Sequence, residues 1–222
     1  NGKITNILSE ENRGYVCALA NAIYMKADWV NKFEKEGTYK ETFTDINGDE
    51  SEIDFMHQAA DFKYYENGDT KAVKLPYENG LSMVVVLGDT KNILNDIHNN
   101  KMTSKLVDVS LPKFKAEYSI DYVNILKNMG IEKAFDNQNA DFSLMLENYP
   151  ERIKIDSVLQ KAMIDVDEKG TEAAAATVAV LTKSALSVDE EVIEFRADKP
   201  FTYYILDDNG NVYFAGRYVK AE

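Results

Sequence analysis

Cysteine and histidine are almost absent from this 222-residue sequence, which holds one Cys and two His. A lone Cys17 excludes an intrachain disulfide framework and any zinc site built from several thiolates. His57 and His98 are too few for histidine-rich metal chemistry. Basic residues are scarce too: 25 Lys and Arg stand against 38 Asp and Glu, a net charge of −13. That balance argues against nucleic-acid binding, which needs a basic face to displace counterions, and against docking on anionic membranes. Long apolar runs are missing; Met83–Leu87 is strand-sized, far short of the ~20 residues that span a bilayer. Asn1-Gly2-Lys3 shows no initiator Met, no basic leader and no apolar signal segment, and reads as the start of a fragment or processed product. There is no repeat at solenoid periods, no low-complexity tail and no Pro-rich linker.

What is present is a succession of strands and turns. Asn-Gly pairs fall at 47–48, 67–68, 79–80 and 209–210. Each lies between segments of strand character, a strong hairpin signal because both central positions of the tightest turns need positive φ. Residues 15–24 (YVCALANAIY) read as a strand apolar on both faces, buried within a sheet. Ala72–Leu75 and Leu81–Leu87 read as a hairpin, Val107–Tyr118 as an alternating strand, and Phe201–Leu206 with Asn211–Val219 as the last hairpin. Helical signals are fewer: Ile93–His98, and Ser119–Met129 with a stop at Gly130. Strands outnumber helices, so the composition of elements is β-dominated within an α+β class.

Residues 170–200 break the pattern. GTEAAAATVAVLTKSALSVDEEVIEFRADKP has no clear turn and no helical stripe, and so long a loop in a compact domain is functional or marks a mistaken assignment. An Ala-rich helix is the plain reading, but Thr177, Val178 and Val180 are β-branched. As an extended strand, one face carries Thr171, Ala173, Ala175, Thr177 and Ala179, all small. The other face carries Glu172, Ala174, Ala176, Val178 and Val180. A strand with such a small face can slide between two others without overpacking the core.

Asp167-Glu168-Lys169-Gly170-Thr171-Glu172-Ala173-Ala174-Ala175-Ala176-Thr177 strongly resembles the proximal hinge of the serpins. Asn21-Ala22-Ile23-Tyr24-Met25-Lys26-Ala27-Asp28-Trp29 resembles the third strand of their sheet A with the Trp at its breach. Leu75-Pro76-Tyr77, Leu111-Pro112-Lys113-Phe114, Met129-Gly130-Ile131, Ala140-Asp141-Phe142-Ser143, Lys199-Pro200-Phe201 and Phe214-Ala215-Gly216-Arg217 fit in serpin order. The resemblance covers essentially the whole chain. It implies a partial serpin fold over 1–222, mostly antiparallel sheets A, B and C with a few helices and a reactive-centre loop at about 170–200. It also implies that the N-terminal helices and two strands of sheet A are missing, so that the 222 residues alone would expose an apolar patch and an unpaired sheet edge. Where most members have a shutter His, this chain has Gln160, opposite Asn21 in the family; an amide still donates and accepts, but a pH-sensitive shutter is not expected.

The implied function is serine-protease inhibition as a suicide substrate, by cleavage of the loop and its insertion into sheet A. The alternative is a non-inhibitory member acting as a binding or storage protein. Small residues at Thr171 and Ala173–Ala176 favour the inhibitor. Counting from Glu168 by the family ruler places the bait bond at Ser184-Ala185, for an elastase- or subtilisin-like target, or at Lys183-Ser184, for a trypsin-like one. Leu186-Ser187 is a third position. No cofactor is implied, and secretion is the family-level expectation. No enzyme is expected: neither His lies near a nucleophile-elbow pattern, and Cys17 sits in an apolar strand. Asp165-Val166-Asp167-Glu168-Lys169-Gly170 opens like a calcium loop, but Lys169 and Ala176 stand where ligands belong.

Overall fold

The computed structural model of the chain describes Ile7 and residues 16–145, 153–171 and 192–221. Its strands are β1 (Ala18–Tyr24), β2 (Ala27–Asp28), β3 (Thr38–Thr44), β4 (Glu50–Asn67), β5 (Thr70–Pro76), β6 (Ser82–Leu87) and β7 (Thr103–Pro112). They continue as β8 (Phe114–Asp121), β9 (Ser157–Asp167), β10 (Gly170–Thr171), β11 (Ile193–Arg196), β12 (Phe201–Leu206) and β13 (Val212–Tyr218). Two short helices, α1 (Ile93–His98) and α2 (Val123–Asn128), interrupt them. The chain divides into two compact units, Asn1–Met25 with Ala116–Ile164, and Lys26–Lys115 with Asp165–Glu222.

The second unit is built on an eight-stranded sheet in the order β11-β7-β4-β5-β6-β12-β13, with β3 also on β4. Every neighbour pair in it is antiparallel except β11 with β7. The long β4 pairs with β3 at one end, β7 along its middle and β5 at the other. Met83–Val86 of β6 are buried without alternation, as befits a strand between β5 and β12 with both faces covered. Beneath α1 lies a cluster that includes Tyr65, Ile93, Met102 and Leu206. The buried Asp96 of α1 accepts the Tyr65 hydroxyl at 2.5 Å and the Lys101 ammonium at 2.8 Å, so its burial leaves no unpaired charge.

All four Asn-Gly pairs turn hairpins: β3 to β4, β4 to β5, β5 to β6 and β12 to β13. Only the glycines carry the left-handed φ, from +59° at Gly68 to +89° at Gly48; among the described residues Asn100 is the one non-glycine with positive φ. The asparagines therefore stay on the extended or right-handed side, and glycine alone bears the strained position.

In the first unit β1 lies parallel to β9 over seven pairs, Ala18 with Ser157 through Tyr24 with Met163, and β8 pairs with β9 as well. Four expectations change here and at the loop. Residues 15–24 are not a doubly buried strand: Leu19 is 49% exposed, and among the described residues β1 has no ladder partner but β9. The run 107–118 is two strands: β7 closes on Pro112, which has no N–H to give, and Lys113, whose N–H donates to Asp54 O at 2.9 Å, separates it from β8. The helix expected over 119–129 is confined to Val123–Asn128. Ser119–Asp121 stay in β8, where Asp121 accepts the backbone N–H of Val123 at 3.0 Å and the Ser157 hydroxyl at 2.5 Å. Gly130 does end α2, at φ +94°, with Ile131 N–H returning to the Leu126 carbonyl at 3.0 Å. Finally, Gly170–Thr171 and Ile193–Arg196 are strand within the run read as a loop over 170–200, whose residues 172–191 lie outside the described residues.

Candidate functional site

The residues singled out by sequence fall in two described places. Asn21 and Gln160 are ladder partners in the β1–β9 pair, so the two amides face each other across one rung. Trp29, Glu168, Gly170 and Thr171 come together in the second unit. Glu172, Ala173, Ala174, Ala175, Ala176 and Thr177 lie outside the described residues, as do the bait candidates Lys183, Ser184 and Ala185.

The second place is a clasp. At the end of β9 the chain reverses through Glu168 and Lys169 into β10, which pairs antiparallel with β9 on one side and with β2 on the other. Gly170 faces both Asp167 and Asp28, and Thr171 faces both Val166 and Ala27. Val166 and Ala27 are buried. The carbonyls of the reversal are taken in turn: Trp29 donates its indole N–H to Asp167 O and its backbone N–H to Lys169 O, and Phe33 donates its backbone N–H to Glu168 O, each at 2.9 Å. One tryptophan and the residues after it thus hold three successive carbonyls, the polar groups a sharp reversal would otherwise leave unpaired.

Aromatic packing fixes that tryptophan. Trp29 is 1% exposed, stacked on Tyr77 with ring centroids 4.2 Å apart and met edge-on by Phe33 at 6.2 Å. Two backbone bonds knit the same contact: Val30 N–H to Pro76 O at 2.9 Å, and Glu78 N–H to Asp28 O at 2.8 Å. Glycine is required at 170. Its φ is +144°, and a Cβ there would run into the backbone of Ala27, Asp28 and Trp29.

Glu168 is the charged element of the clasp. It is buried, and Lys113, the residue that breaks β7 from β8, reaches it at 3.0 Å. Burial works against its ionisation, but its own backbone N–H and the Lys113 ammonium outweigh burial and hold the carboxyl below its ordinary value of 4.5. A carboxyl with a depressed folded pKa contributes stability that is complete above the unfolded value and is lost as pH falls through the folded one. Glu168→Gln is therefore expected to cost roughly 1–2 kcal/mol at neutral pH, discounted because Lys113 is partly solvated. The gap to the parent should close as pH drops below about 4. Urea unfolding at several pH values checks this; a gap independent of pH would dissociate the loss from the carboxylate.

Sequence reasoning did not single out Lys113, Tyr77 and Phe33 for these roles. Lys113 carries a usable signal, a cation straight after the proline that interrupts an alternating run. Tyr77 and Phe33 carry none, since an aromatic after a turn is ordinary core.

A family model described as Serpin (serine protease inhibitor) matches residues 1–221. An uncharacterized serpin-like protein of Thermococcus kodakarensis is 36% identical over 98% of this chain and 53% of its own length. Serine proteinase inhibitor 2 of cowpox virus is 33% identical over 98% of the chain and 67% of its own. Among solved structures, the thermophilic serpin tengpin in its native state superposes with a TM-score of 0.82 at 30% identity, covering 100% of this chain and 60% of that one. The chain thus spans about half the length of the archaeal relative and three-fifths of the crystallised one.

Proposed function

The chain belongs to the serpin family, and on that premise we propose that it carries the loop-insertion machinery of an inhibitor of serine proteases. A target protease attacks the segment after Thr171, forms an acyl-enzyme, and is trapped when that segment enters the sheet as a new strand. Serpin loop insertion is itself the standing example of this strand addition and of stored strain released by proteolysis. The name of the cowpox relative, a serine proteinase inhibitor, supports the reading.

The observation that carries it is a shared register. Every β1–β9 pair joins residues 139 positions apart, Ala18 with Ser157 and Tyr24 with Met163. The two partners of Gly170, Asp28 and Asp167, are also 139 apart, as are Ala27 and Val166 opposite Thr171. β10 prolonged without slip would therefore meet β1 and β9 in step. Ala173 would stand opposite Met25 and Ile164, both buried, and Thr177 opposite the Asn21–Gln160 rung. The face turned inward would be the one made of Thr171, Ala173, Ala175 and Thr177, all small. As it stands, β1 and β9 bond directly to each other, so no strand separates them over those seven pairs.

Thr171 is already paired opposite Val166 and Ala27 in β10, so the first residue of that face that only insertion would bring between the strands is Ala173. Ala173→Glu would bury an unpaired charge as insertion begins, at a cost of several kcal/mol. The variant should be cleaved by trypsin- and elastase-type enzymes as fast as the parent, with the yield of SDS-stable complex falling by at least about tenfold. A protease panel read on denaturing gels tests this, on the 222-residue chain and on a chain extended to the length of its relatives. A complex yield equal to the parent's would sink the mechanism. The peptide released on cleavage, weighed by mass spectrometry, distinguishes Lys183-Ser184, Ser184-Ala185 and Leu186-Ser187.

A further inference from the structure

His57 lies in the middle of β4 with one ring nitrogen bonded and the other not. Ser110 of β7, its ladder partner, places its hydroxyl 2.9 Å from Nδ1. Tyr39 of β3 stacks on the ring, centroids 4.2 Å apart and planes 4° from parallel. Nε2 is buried without a hydrogen bond and points toward Glu41 of β3, 3.8 Å from its Oε2. That same Oε2 accepts the guanidinium of Arg196 at 2.6 Å. A neutral imidazole leaves this nitrogen unpaired, whereas a protonated one would have an N–H aimed at an oxygen that already accepts from another cation.

Two of these neighbours, Ser110 and Glu41, also hold β11. Arg196 closes that strand, pairs with Ser110 in the β11–β7 ladder and reaches across to Glu41. Ala197, the next residue, donates its N–H to the Ser110 carbonyl at 2.9 Å. β11 is a four-residue edge strand whose buried anchor is Phe195, and it begins just after residues 172–191. Strands this short at an edge are held weakly, so one tether matters.

Charges face the imidazole from each strand packed on it: Glu41 from β3, Asp108 from β7 and Arg196 from β11. Burial is the leading influence and holds His57 below the ordinary imidazole value of 6.5; Arg196 pushes the same way, while Glu41 and Asp108 oppose. Because the Arg196 charge disfavours protonation of His57, protonation must by reciprocity disfavour the docked Arg196. With β11 released, the ring would gain water, lose the guanidinium and have Glu41 to itself, and each change favours the proton. The sign follows: the docked strand is favoured above the unfolded imidazole value and weakened as pH falls below it.

We propose that His57 is a proton-operated catch on β11: neutral, it leaves the Glu41–Arg196 tether whole, and protonated, it takes Glu41 from Arg196 and loosens the strand that follows residues 172–191. The catch requires no protease and stands apart from the inhibitory reading.

Two measurements test it on the whole chain. With only two histidines, imidazole NMR signals are few, and His98→Gln assigns them. Arg196→Met, a change at a partly exposed side chain, should move the His57 midpoint up, and Glu41→Gln should move it down. Hydrogen exchange of the Ile193–Arg196 amides, corrected for intrinsic rates, should show opening about tenfold greater at about pH 5.5 than at about 7.5, within the tenfold per pH unit that one proton allows. In His57→Gln that rise should vanish. An equal rise in His57→Gln, no rise in the parent, or a His57 midpoint unmoved by Arg196→Met would each overturn the proposal.

Discussion

Cleavage of the chain within residues 182–187 is expected to raise the protein's melting temperature by about 20 °C or more. The size follows from main-chain hydrogen bonds. Continuing β10 in register would bring nine residues, 172–180, between β1 and β9 as far as the Ala18–Ser157 rung. A strand with a neighbour on each side makes about eighteen bonds over that length, against about seven lost when β1 and β9 part. At roughly 1 kcal/mol net per bond, the gain of about 10 kcal/mol equals the whole stability of an ordinary domain. For a domain of this size each kcal/mol moves the transition by about 2–4 °C. The uncleaved protein would then be held in its state by a kinetic barrier, because a segment joined to the chain at both ends could not lie down along its full length. Calorimetry on intact and loop-nicked samples decides the matter without any ligand. Equal melting temperatures would mean that no strand enters, and the protein would be a non-inhibitory member of its family.

Trp29→Ala should destabilise the second unit by about 3–5 kcal/mol, the largest single-residue effect expected in the described structure. The indole fills the space between Tyr77 and Phe33, and its removal leaves a cavity lined by rings that cannot collapse, since strand pairing fixes their backbones. It also strands the Asp167 carbonyl. Trp29→Phe separates the two contributions: most of the packing survives and the indole bond to Asp167 is lost, for roughly 1–2 kcal/mol. Urea unfolding followed by circular dichroism measures both. A loss below about 1 kcal/mol in Trp29→Ala would show that the clasp is not held by its aromatic stack.

Hairpins were the most readable part of this chain, since Asn-Gly between two apolar runs leaves the backbone few alternatives and all four pairs turn one. The 18-residue β4 was not readable as a strand: from His57 to Asp61 its side chains neither alternate nor run apolar, because their burial depends on β7 and β3 on the two sides. Pattern also misjudged residues 15–24, where an apolar composition suggested cover that β1 does not have in the described structure. At the clasp, Trp29, Glu168 and Gly170 stood out through resemblance alone. Their partners Lys113, Tyr77 and Phe33 are joined to them only by folding, over separations that no local period encodes. Asn21 and Gln160 were an intermediate case: the resemblance paired them, and the ladder puts them on one rung.

The constant spacing of 139 between opposing residues of the sheet has an evolutionary reading. Insert one residue at Met25 or Lys26 and the spacing above the joint no longer equals that below it. An entering strand could then match its neighbours on one side of the joint or the other, never both. Where it followed the shifted strand, its small side would turn outward and Ala174 and Ala176 inward, since strand faces swap with each single step. Substitutions along these strands change only local fit, but an insertion or deletion changes phase. Descendants of this sequence can therefore vary the letters of residues 18–28 and 157–167 far more freely than their number.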